Sequence, residues 1–77
     1  MKLYLISQDE NSGYETYDSA VVVAQDVYHA SLIAPGGSFG DNYGGWCSKP
    51  DKVSVKYLGE AAAGIPAGIV LASFNAG

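Results

Sequence analysis

The sequence predicts a small α+β fold, a four-stranded antiparallel sheet with one short helix against it, in the order β-β-α-long loop-β-β. Three observations carry this. Four segments are apolar and suited to strands, a capped helical segment separates the second from the third, and the connection from Pro35 to Pro50 has no hydrophobic periodicity. With 77 residues the chain is a single domain, 1–77, near the lower size at which one apolar core holds a fold, and 48% apolar residues bring such a core within reach.

Lys2 to Ser7 reads as the first strand, with Leu3 and Leu5 on one side and Tyr4 and Ile6 on the other. A polar segment, Gln8 to Thr16, follows, and Asn11-Ser12-Gly13 is its turn signal. Tyr17 to Gln25 contains Val21, Val22 and Val23, whose branched side chains favour an extended backbone, so the second strand lies there and pairs with the first as a hairpin. Asp26 is suited to cap a helix over Val27 to Ala34, because its carboxylate can accept the free amide hydrogens of the first turn. Pro35 and Gly36-Gly37 stop it. Two turns are marginal alone, so the helix must pack on the sheet through some of Val27, Ala30, Leu32, Ile33 and Ala34.

Lys52 to Leu58 alternates, with Val53, Val55 and Tyr57 on one face and Lys52, Ser54 and Lys56 on the other. The lysine row suits a sheet edge, where charge discourages unwanted pairing. Glu60 to Ala63 reads as one helical turn ended by Gly64, Pro66-Ala67-Gly68 as a turn, and Ile69 to Phe74 as the final strand. Three of these strands are apolar on both faces. One short helix cannot cover two faces, so the second must be hidden by the aromatic loop, by a second copy of the chain, or by a partner.

The loop between Pro35 and Pro50 holds five glycines and three aromatics, Phe39, Tyr43 and Trp46. Loops this long are binding elements, lids or disordered segments, and large aromatics argue against disorder. Two readings follow. Trp46, Tyr43 and Phe39 anchor a partner, with Asp41 beside them, or they fold back to plug the uncovered sheet face. The solvent exposure of Trp46 discriminates the two. The segment Tyr14-Glu15-Thr16-Tyr17-Asp18 sets two tyrosines and two carboxylates next to the hairpin turn, and at the same end of the sheet as the loop it would form one aromatic and acidic surface. Its bland alternative is a solvated hairpin tip.

Eight carboxylates face four lysines, and there is no arginine. Direct nucleic-acid binding is thereby disfavoured, since phosphate neutralisation and base-edge contacts rely on Lys and Arg, and the acidic surface suits a protein partner with a basic surface. The apolar run Leu3 to Ile6 is too short for a signal-peptide core or a membrane span, and a single cysteine allows no internal disulfide, which together fit a cytoplasmic setting. No metal or cofactor is expected: Asp9, Asn11, Gly13, Glu15 and Asp18 do not match the calcium-loop spacing, and the loop glycines match no phosphate-binding fingerprint. His29 and Cys47 have no third group to orient the imidazole, so no catalytic residue is assigned and an enzyme is not expected.

The opening Met1-Lys2-Leu3-Tyr4-Leu5-Ile6-Ser7-Gln8-Asp9-Glu10-Asn11, the run from Gly13 to Val22, the pair Trp46-Cys47 and the tail Ala72-Ser73-Phe74-Asn75-Ala76-Gly77 resemble short accessory proteins carried by bacteriophages and prophages. The resemblance implies a protein that binds and disables a host protein, as anti-CRISPR and other anti-defence inhibitors do. Two alternatives stand beside it: a homo-oligomeric module that sequesters a nucleotide-like signal, and a structural or interaction protein of the phage.

Overall fold

The computed structural model describes residues 1–11, 13, 15–37, 39 and 45–75. It contains β1 (Lys2–Ser7), β2 (Thr16–Ala24), α1 (Val27–Ser31), a 3-10 turn at Pro50–Lys52, β3 (Ser54–Glu60) and β4 (Gly68–Asn75). The four strands form one sheet in the order β3-β1-β2-β4 with every neighbouring pair antiparallel, so the α+β class and the order of elements are as the sequence predicts. The lysine-bearing β3 is an edge strand, and β4 is the other edge.

This order makes β2 and β3 parallel to each other with β1 between them. Residues 25–53 must therefore cross one face of the sheet from end to end, and they carry α1 and the Trp46 segment over that face. Pairing places Val55, Ile6, Ala20 and Ala72 in one row across all four strands, and Tyr57, Tyr4, Val22 and Ile69 in the next. Tyr4, Ile6, Ala20, Val22, Ala24, Ala30, Trp46 and Cys47 form the buried core, and Tyr17, Ile33, Ala34, Phe39, Val53, Val55 and Ala72 pack around it. The Tyr4 and Tyr57 rings meet edge-on at 5.8 Å.

Asp26 caps α1 as expected: its Oδ1 accepts from the His29 amide at 2.8 Å and lies 2.7 Å from His29 Nδ1. The helix is shorter than the predicted Val27 to Ala34, ending at Ser31. Near Pro35 the chain tightens into i→i−3 bonds instead, from Ile33 N to Ala30 O at 3.2 Å and from Gly37 N to Ala34 O at 2.9 Å. Ala30 is fully buried, Ile33 and Ala34 are partly buried, and Val27 and Leu32 face solvent.

Two other boundaries move. Pro50 opens a 3-10 turn that takes up Lys52, so β3 begins at Ser54. The helical turn predicted over Glu60 to Ala63 does not form: Glu60 ends β3, Ala61 N donates to Met1 O at 3.0 Å, and a turn follows at Ala63-Gly64. Residues 61–67 have to carry the chain from one sheet edge to the other, three strand spacings or roughly 14 Å, and a helix rising about 1.5 Å per residue wastes that reach.

Trp46 is 2% exposed and sits in the core on the same face as α1. Of the two loop readings, this tryptophan follows the covering one, but it covers the face that the helix also covers. Gly45 before it has φ 69°, and a Cβ there would lie 2.6 Å from the Glu15 carbonyl oxygen. The indole Nε1–H is buried with no hydrogen-bond partner among the described residues.

Trp46→Ala should lower the unfolding free energy by about 3–5 kcal/mol in urea titration, and Trp46→Phe by much less, because the lost N–H leaves no acceptor stranded. Gly45→Ala should be destabilised by more than about 1 kcal/mol in the same assay. The emission of Trp46, the single tryptophan, reports unfolding of the parent chain and of Gly45→Ala, and far-UV circular dichroism reports it for the two Trp46 variants, which lack the indole.

Candidate functional site

The β1–β2 link and the end of the long loop meet at one end of the sheet. Gln8 braces the link: its Nε2 donates to the carbonyls of Asn11 (2.7 Å) and Tyr17 (2.8 Å), and its Oε1 accepts from the Asn11 amide at 2.8 Å. Four further contacts join the two segments. Asn11 Nδ2 donates to Trp46 O at 3.2 Å, Tyr17 N to Gly45 O at 2.8 Å, and the Ser48 amide and hydroxyl to the two Glu10 carboxylate oxygens at 2.6 and 3.0 Å. The Glu15 amide, on a residue with φ 57°, donates to Asn75 O at 2.6 Å, and Asn75 Nδ2 donates to Thr16 Oγ1 and to Asp18. Among the described residues the hairpin and the end of the long loop therefore meet at one end of the sheet, with carboxylates exposed there and Trp46 buried.

Asp9, Glu10, Glu15 and Asp18 are exposed at this end, with Asp51 on the turn that enters β3. The Ser48 amide and then the Ser48 hydroxyl hold the Glu10 carboxyl below the usual glutamate range, and Lys52 and Lys49 add smaller pulls in the same direction. Glu10 is therefore ionised at neutral pH and held against Ser48.

The predicted site residues divide by what the structure does with them. Glu15 and Asp18 are exposed and belong to the acidic end. Tyr17 is partly buried, its ring 4.8 Å from that of Phe74, and Phe39 packs partly buried on the core. Trp46 is buried, which removes it from the side chains a partner could touch on this surface: the expected anchor is part of the core, because an indole fills the sheet face that α1 leaves open. Tyr14, Asp41 and Tyr43 lie outside the described residues. Glu10, Asn11, Gly45 and Ser48 were missing from the predicted set. Only Gly45 carried a sequence signal, a glycine pair directly before a tryptophan; the others depend on contacts across more than thirty positions of chain.

No protein-family model matches the chain, and neither the curated proteins nor the solved structures contain a match.

The sheet's second face is a surface in its own right. Pairing places Ser54, Ser7, Ser19 and Ser73 in a row across the four strands, and Lys56, Leu5, Val21 and Leu71 in the next. Between these rows, on the β4 side, lies a shallow groove of about 320 Å³ lined by Leu5, Ser19, Val21, Leu71 and Ser73. Leu5 and Val21 are partly buried by their neighbours, whereas Leu71 is 69% exposed. The second recess, also about 320 Å³, lies at the opposite end of the sheet against Met1, Ala24, His29 and Ile33 and is mainly apolar.

Cys47 is fully buried, its Sγ is 3.5 Å from Lys49 O, and burial pushes its thiol pKa up, so it remains protonated and unreactive at neutral pH. His29 is exposed and engaged by Asp26. Among the described residues no three of His, Cys, Asp and Glu gather as metal ligands, and no helix is long and apolar enough to cross a membrane.

The lowered Glu10 pKa sets a sign. A carboxyl depressed in the folded state contributes stability that is complete above the ordinary glutamate pKa and is lost as pH falls through the lowered folded value. NMR titration of the Glu10 side-chain carboxyl should give a midpoint below 4.5, and Ser48→Ala should move it back up. Because alanine keeps the Ser48 amide, an unchanged midpoint in that variant would remove the Ser48 hydroxyl as a cause and leave the amide bond as the source of the shift.

Proposed function

We propose that this chain is a non-enzymatic binding protein whose acidic end docks on a basic surface of a host protein and blocks it. The partner class follows from the resemblance to phage accessory proteins: a defence component, CRISPR-like or other, in the cytoplasm of an infected host. The observation that carries the reading is the clamp of Glu10 by Ser48, which locks the hairpin to the long loop and holds Asp9, Glu10, Glu15 and Asp18 on one end of a small domain. Such a platform is ordered before it meets a partner, so association loses little further conformational freedom. Its charge also speeds encounter with a basic groove and repels nucleic acid from the same groove. The absence of arginine and the inert thiol of Cys47 support binding over catalysis.

The test is phage plating on host strains that carry or lack a defence system, with the chain expressed in each. Rescue of plating only on a defended strain is the expected outcome, and no rescue on any defended strain would overturn the proposal. The double variant Asp9→Lys, Glu15→Lys should reduce affinity for the defence component by at least about tenfold, equivalent to about 1.4 kcal/mol. Calorimetry should also show affinity falling as salt rises. Unaltered affinity in that variant would reject the acidic end as the contact.

A further inference from the structure

We propose that β4 is a self-association edge, and that two copies of this chain pair antiparallel through it into one eight-stranded sheet. The inference stands independently of the host partner. Three observations meet on this strand.

The first is exposure. β4 lies at the sheet edge with Ile69 (45%), Val70 (56%), Leu71 (69%) and Phe74 (48%) open to solvent, on a strand whose outer side has no neighbouring strand among the described residues. Val70 is left out of the pairing with β2, where the register shifts between Val21 and Val22. Proteins protect edges of this kind with charge, proline, cover or a bulge, and the irregularity at Val70 is a protection of the last kind, confined to one residue near the start of the strand. The opposite edge, β3, has the protection of charge in Lys56 and Glu60. β4, reading GIVLASFN, has neither a charge nor a proline.

The second is charge distribution. From Ala61 to Gly77 the chain has no charged side chain, although its net charge is −4. A partner drawn by the acidic end carries positive charge, and this edge offers nothing to meet it. A second copy presents the same neutral, apolar strip.

The third is polarity along the strand. Asn75 ends β4 beside Asp18 and Glu15, whereas Gly68 starts it beside the uncharged link 61–67. Antiparallel pairing about a two-fold axis near Ala72 sets the acidic end of each copy against the neutral end of the other. Parallel pairing would bring the two acidic ends side by side. In the antiparallel dimer, with the axis normal to the sheet, the Leu71 side chains of the two copies come together on the open face, and the acidic ends point in opposite directions.

Sedimentation equilibrium of the full chain, from micromolar to submillimolar loading, reads the result directly. The expected mass is about 16 kDa, twice the 8.0 kDa chain. Leu71→Lys and Val70→Lys, both at exposed side chains, should each shift the protein to the monomer mass while far-UV circular dichroism and Trp46 emission stay native. Lys56→Glu on β3 should leave the dimer intact. A monomeric parent chain throughout, or a dimer that survives both β4 variants, would overturn the proposal. Should one β4 variant fail to fold, the other decides.

Discussion

Trp46 is buried in the core of the sheet face that α1 also covers, and its seat ties the loop, the hairpin and the sheet together. The parallel relation of β2 and β3 makes their connection a crossover, yet among its described residues before Pro50 the regular structure is the five-residue α1, which contributes Ala30 as its one fully buried side chain. Ala30 alone leaves Tyr4, Ile6, Ala20 and Val22 without a neighbour of adequate volume. The indole supplies it, with Cys47 beside it. Everything that fixes the segment contributes to this: the left-handed Gly45, its carbonyl on the Tyr17 amide, and the Asn11 amide on the Trp46 carbonyl.

Seating Trp46 has a consequence for surfaces. Because the loop closes onto the helix side, the second face of the sheet keeps Leu5, Val21 and Leu71 beside its serine row, uncovered among the described residues. The burden falls on β4. The inner strands β1 and β2 shelter each other's side chains, while an edge strand such as β4 has one side sheltered at most. The segment that seats Trp46 also brings Ser48 onto the Glu10 carboxylate at the end of the sheet where Asp9, Glu15 and Asp18 are exposed, while the strand order leaves neutral β4 at the edge.

How far this was legible depends on the range of the contacts involved. Alternation and β-branching located all four strands, and Lys56 marked its strand as an edge, because these signals act within a few residues. The Asp26 cap was legible for the same reason. The Glu60 to Ala63 helix was misread because three alanines and a glutamate favour a helix locally, whereas the distance between sheet edges demands an extended link. Trp46 was open to two readings, since its composition as a loop aromatic is the same in a binding loop and in a plug.

The α+β class, the order of the elements, the acidic balance and the charge-free stretch after Glu60 follow from local pattern and composition. The seat of Trp46 on the helix side, the meeting of Glu10 with Ser48 and the place of β4 at the edge opposite Lys56 come from contacts between segments far apart in the chain. The reason is physical: side-chain alternation assigns residues to two faces without saying which face a distant segment will occupy, and strand order is settled by where the crossover can bury an indole.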